Sequence, residues 1–70
     1  MWSMQEFEKT YNQVFDEHGN VKFCGRDVTR RLIHLCQQVD TNTDFGNQET
    51  GFMNVKNIKR LRESLEDDGR

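Results

Sequence analysis

His18, His34, Cys24 and Cys36 are the side chains of this sequence best suited to act as base or nucleophile near neutral pH. The two histidines lie sixteen positions apart, and the sequence contains no HExxH pair, no GxSxG elbow and no phosphate-cradling glycine loop. His34 precedes Cys36 by two positions in what reads as a helix, and residues two apart point to different faces. A local thiolate–imidazole pair is therefore excluded. The cysteines are twelve apart, without CxxC spacing and without the partners zinc requires. Cys36 falls on an apolar stripe and reads as a buried free thiol, whereas Cys24 stands beside Gly25 in a turn. The expectation is a non-enzymatic chain with no catalytic residues, no metal site and no cofactor.

Cations offer a second chemistry. Arg26, Arg30, Arg31 and His34 cluster on or before one helical segment, and Lys56, Lys59, Arg60 and Arg62 crowd the last one. As a nucleic-acid interface, Arg26, Arg30, Arg31, Lys56, Lys59, Arg60 and Arg62 would contact phosphates while Gln37, Gln38 or Asn57 read base edges. Two features oppose this alternative. The chain carries a formal net charge of −2, whereas phosphate contacts supply most non-specific affinity. The polar connection between the two segments also far exceeds the short turn of a helix-turn-helix unit.

Oxygen donors give a third. Asp16, His18, Asn20, Phe23 and Asp27 occupy relative positions 1, 3, 5, 8 and 12 between two helical segments. The pattern resembles the calcium-binding EF-hand, in which closely spaced oxygens surround a hard cation. The resemblance covers about twelve residues. It departs from the pattern at three positions: His18 takes a ligand place, Val21 replaces the turn glycine, and Asp27 is shorter than the closing glutamate. Asp40, Asn42 and Asp44 repeat the one-three-five spacing, but Phe45 and Gly51 then stand where the turn glycine and closing carboxylate belong. What the resemblance implies is at most a degenerate EF-hand-like ion-binding module. The competing reading is of polar connections, with Asp27 capping a helix.

The preferred reading is a small non-catalytic regulatory or adaptor protein that works by protein–protein interaction. Trp2, Arg30, Arg31, His34, Phe45, Phe52 and Met53 are the candidate contacts. The aromatics and Met53 fall in terminal or loop segments, off the helical stripes, and large aromatics and arginine are frequent interface anchors. Surfaces of opposite sign orient charged partners and speed encounter. The alternative placement of the same rings is in a small core. The partner is an unidentified protein, and the oligomeric state is left open.

These residues must be positioned by few elements. The stretch from Ser3 to His18 repeats apolar residues at three- and four-residue steps, with Ser3 and Glu6 spaced as a capping box, so a helix is expected over 3–18. Gly19 and Asn20 stop it. Val28, Leu32, Leu35, Cys36 and Val39, widened by Ile33, give a second helix over 27–39 capped by Asp27. Val55, Ile58, Leu61 and Leu65 line a third over 54–66 capped by Asn54, with acidic residues at its C-terminus predicting fraying. The loop 40–51 shows no period, and Phe45 within it tucks back as an anchor. Residues 21–23 and 51–53 can form a minimal strand pair pinning the second and third helices.

The expected fold is thus mainly α, a three-helix domain spanning 1–70 with a minimal two-stranded β pairing, a polar loop at 40–51 and a frayed tail at 67–70. Its core is expected to hold Phe7, Tyr11, Phe15, Val28, Leu32, Leu35, Cys36, Ile58, Leu61 and Leu65. The sequence holds no proline and no alanine, is 33% hydrophobic and 31% charged, and has no apolar run longer than two residues. A membrane span, a collagen-like repeat and a disulfide scaffold are excluded. No basic segment followed by an apolar one opens the chain, so a soluble, cytoplasmic protein is expected. Charge alternates along it: residues 1–20 sum to −3, 21–39 to +3, 40–54 to −3 and 55–70 to +1.

Overall fold

Three helices and one short hairpin make up the computed structural model, which describes residues 2–22 and 25–68. Helix α1 spans Met4–Val14, α2 Arg26–Val39 and α3 Val55–Asp68, and the antiparallel strands β1 (Gly46–Asn47) and β2 (Phe52–Met53) lie between α2 and α3. The mainly α, three-helix architecture with a two-stranded pairing expected from the sequence is present.

Helix α1 starts as its capping residues require, with the Glu6 amide donating to Ser3 Oγ at 3.1 Å. It stops four residues earlier than the periodicity predicts. Phe15 takes an extended conformation (φ −116°, ψ 142°) that turns its ring into the core. Asp16 then closes a tight turn, its Oδ1 accepting from the amides of His18 and Asn20. His18 is consequently carried off the apolar face, with 76% of its side chain exposed. The chain returns to α1 through Lys22, whose amide donates to Val14 O and whose Nζ donates to Asn12 O. Two carbonyls left open by the helix end are satisfied in this way.

The strand pairing differs from expectation in its partners. Phe52 and Met53 pair with Asn47 and Gly46, while Val21 forms an isolated bridge with Phe15. Phe23, the remaining residue of the expected first strand, lies outside the described residues, as does Cys24. Local hydrogen bonding explains why 46–47 prevails. Three short polar side chains in the loop accept from a backbone amide two residues on: Asp40 from Asn42, Asp44 from Gly46, and Asn47 from Glu49. These turns fold 40–51 back on itself and bring β1 beside β2. Gly46 makes the closest approach: its φ is +124°, and a Cβ there would stand 2.1 Å from the Phe52 carbonyl oxygen.

Helix α2 is the centre of the molecule, touching α1, both strands and α3. Its N-cap is Gly25, with no side-chain cap, so Asp27 lies exposed in the first turn rather than capping. There its charge still faces the positive end of the helix dipole. Along α1 the rings of Trp2, Phe7, Tyr11 and Phe15 succeed one another at centroid distances of 5.9, 6.1 and 4.5 Å. Against them pack Leu32, Leu35 and Cys36. Val14, Phe45 and Ile33 also belong to the fully enclosed set, Ile33 because α2 is covered on more than one side and needs a wider apolar arc. Val28, Leu61 and Leu65, expected in the core, are only partly buried against it, and Ile58 is the fully buried residue of α3. The two buried threonines lose no hydrogen bond, since Thr10 and Thr29 donate to the carbonyls of Glu6 and Arg26.

Asn54 caps α3 as expected, its Oδ1 accepting from the Asn57 amide at 3.2 Å. The helix runs to Asp68, two residues past the predicted end, and Arg62 pairs with Glu66 at 3.0 Å across one turn. Gly69 and Arg70, the rest of the expected tail, fall outside the described residues. Among those described, no helix is long and apolar enough to cross a membrane.

Candidate functional site

The candidate contact residues part company in the folded chain. Phe45 is 1% exposed and enclosed beneath the hairpin, with its carbonyl accepting from the Asn54 amide. It is removed from the surface set for a physical reason: the turns on either side direct its backbone to the hairpin and its ring to the core. Trp2 is half-buried against Phe7 and its Nε1 is enclosed without a hydrogen-bond partner. Met53 is half-buried. Phe52 is 79% exposed, the most exposed of the large hydrophobic side chains described.

Phe52 stands between two concavities. On one side an open groove of about 840 Å³ is lined by Gln37, Asp44, Gln48 and Asn54 together with Phe52 and Met53. On the other, an open cleft of about 410 Å³ is lined by Arg26, Thr29, Thr50 and Gly51 with the same Phe52 and Met53. Gly51 allows α2 to come close, because a Cβ at this position would lie 2.8 Å from Arg26 Cγ and 2.9 Å from Thr29 Oγ1. On the β1 side of the same turn, Gln48 Nε2 donates to Gln37 Oε1 and lies 3.4 Å from His34 Nδ1. Arg26, Arg30 and His34, spaced i, i+4 and i+8, therefore form a row along α2 whose two ends both meet the hairpin. All three are exposed, and none makes an ion pair among the described residues. Arg31 is exposed as well but stands about 100° further around the helix.

The basic residues of α3 do not extend this row. Lys59 lies over the Phe15 ring at 5.6 Å and Arg62 over the Tyr11 ring at 4.7 Å, both facing α1. Arg60 lines a cleft with Asp40 and Thr43, and Lys56 is exposed near the start of the helix. The seven cations of the nucleic-acid alternative thus point to several parts of the molecule rather than to one groove-sized face. Two of the three amides assigned to base reading are also engaged within the fold, Gln37 with Gln48 and Asn57 Nδ2 with the Asp44 carbonyl at 2.8 Å, while Gln38 is exposed.

The oxygen-donor series are engaged too. Asp16 and Asp40 accept backbone amides in their own turns, and Asp40 also accepts from Thr43 Oγ1 at 2.6 Å. Those hydrogen bonds hold the Asp40 carboxyl below its ordinary value, with the Thr43 hydroxyl contributing most. Among the described residues no three His, Cys, Asp or Glu side chains gather around one point. Cys36 is fully enclosed, and burial pushes its thiol up to about 12, far from the thiolate that nucleophilic or metal chemistry requires.

Sequence reasoning missed the hairpin as the presenting element and Gln48 as its tie to α2. The signal available was the Gly46-Asn47 to Gly51 spacing, in which two glycines flank an Asn-led turn. The chain matches no protein-family model, and neither the curated proteins nor the solved structures include one detectably similar to it.

Proposed function

We propose that this chain is a small non-catalytic module that binds another protein through the face formed by β2 and the adjacent side of α2, in a regulatory or adaptor role. The observation that carries the reading is Phe52. A small domain short of apolar residues spends a phenylalanine on the outside of a two-residue strand, at 79% exposure, while enclosing Phe45 seven positions earlier. Full burial of such a ring at an interface is worth about 1.5–3 kcal/mol, and phenylalanine, methionine and arginine are all enriched at protein interfaces. Concave surfaces on both sides leave room for a partner to close around it.

The nucleic-acid alternative is the weaker one because its cations diverge and two of its three amides are occupied. The module is tested by retaining proteins from source-cell extract on the intact chain and on Phe52→Ser, then titrating any retained protein in purified form. A purified protein that binds the intact chain and loses at least roughly tenfold in affinity with Phe52→Ser supports the reading. Failure to retain any protein, or equal affinity for both forms, overturns it.

A further inference from the structure

We infer that the row Arg26–Arg30–His34 and the Phe52 ring form one continuous docking face, and that its occupant is an acidic polypeptide segment carrying an apolar side chain. This rests on the protein-binding reading above and specifies the partner.

Continuity comes from the two ends of the row. Arg26 shares the cleft beside Gly51 with Phe52, and His34 lies against Gln48 of the same turn. Arg30 falls between them on the same side of α2. Charge gives the occupant its sign. Among the described residues, Arg26 and Arg30 have no carboxylate within ion-pair distance, although the chain as a whole carries twelve acidic residues against ten basic ones. Segment 21–39 is where the positive charge concentrates, at +3. Arginines left unpaired beside an exposed ring suit carboxylates, which they bind in a planar, bidentate manner.

The occupant is a protein segment rather than a polyanion for two reasons. The cationic row is short, and the hairpin segment beside it carries Asp44 and Glu49. A repeating phosphate chain would have to pass the carboxylates of the hairpin, whereas a local acidic cluster beside an apolar residue would not.

The test selects a displayed random-peptide library on the immobilised full chain. Selected peptides are then titrated against the intact protein, Phe52→Ser, the double variant Arg26→Glu/Arg30→Glu, and Arg31→Glu as a charge control lying off the row. Circular dichroism confirms that each variant is folded. The expected peptides are enriched in Asp or Glu next to an apolar residue. They lose at least roughly tenfold in affinity with Phe52→Ser and with the double reversal, and less than about threefold with Arg31→Glu. Peptides that are apolar without acidic enrichment, yet depend on Phe52, would overturn the acidic occupant and leave the protein-binding reading standing. No enrichment, or enrichment indifferent to Phe52, overturns the face itself. Tighter binding of a mixed-sequence single-stranded DNA than of the selected peptides would replace this occupant with a nucleic acid.

Discussion

The guanidinium of Arg62 lies 4.7 Å from the centre of the Tyr11 ring, so α3 covers α1 with a cation laid on an aromatic face. The same side chain pairs with Glu66 at 3.0 Å. Arg62, one of the cations of the nucleic-acid alternative, is thus engaged within the fold. Its Nε is enclosed without a hydrogen-bond partner, as stacking on a ring permits.

Arg62→Ala should destabilise the fold by about 1–2 kcal/mol, through the lost cation–π contact and the lost packing of the side-chain stem. Arg62→Lys should recover only part of this. Burial raises the Tyr11 phenol above its ordinary value, and Arg62 opposes that rise. Phenolate titration of Arg62→Ala should show Tyr11 moved further upward. A downward movement would contradict the stacked geometry.

Phe45 and Phe52 provide an internal contrast. Phe45→Ala should cost about 3–5 kcal/mol, comparable with the whole stability of roughly 3–5 kcal/mol expected for a domain of this size. Phe52→Ala should change it by no more than about 0.5 kcal/mol. Chemical denaturation of the two variants makes the comparison, and equal losses would refute the placement of one ring inside and the other outside.

Gly46→Ala should disrupt the hairpin, since the added methyl would meet the Phe52 carbonyl and the backbone φ of +124° excludes an L side chain. The expected cost is at least about 1–3 kcal/mol. In the proton–nitrogen NMR spectrum, the shifts should centre on residues 44–54 and spare α1. Native shifts throughout the hairpin would show that the close approach is wrong.

Alkaline pH should weaken the fold through Cys36. Its thiol rises from an ordinary 9.0 to about 12 on burial. Below pH 9 both states hold the proton and the contribution is fully present. As pH climbs from 9 towards 12 the unfolded chain releases a proton that the folded chain retains, so stability falls. Tyr11 acts in the same direction above its own ordinary value of 10.0. Urea midpoints measured across this window should decline, and Cys36→Ala should flatten the decline. In the native protein at neutral pH the thiol should react with maleimide only as fast as the structure opens.

The helical elements were legible because each satisfies its hydrogen bonds within itself and shows its buried side as a three-to-four-residue period. Ser3 and Asn54 marked their helices in the same local manner, through hydrogen bonds that span three residues. Failures began where two local preferences competed. His18 continued the apolar period of α1, but Asp16 could bind two amides of its own turn, and that closed structure prevailed. The divergence of Lys59, Arg60 and Arg62 was likewise hidden. Cations at neighbouring positions of one helix look alike in sequence until the rings of α1 pull two of them inward.

By itself the sequence determined the three helices, the aromatic and aliphatic stripes that seal them and the buried thiol, all consequences of short-range periodicity and apolar surface. Only the tertiary structure decided which strands meet, which phenylalanine stays in water, and which arginines share a face with it. Those relations join residues far apart in the chain, and the free energy that selects among them comes from packing α2 simultaneously against α1, the hairpin and α3.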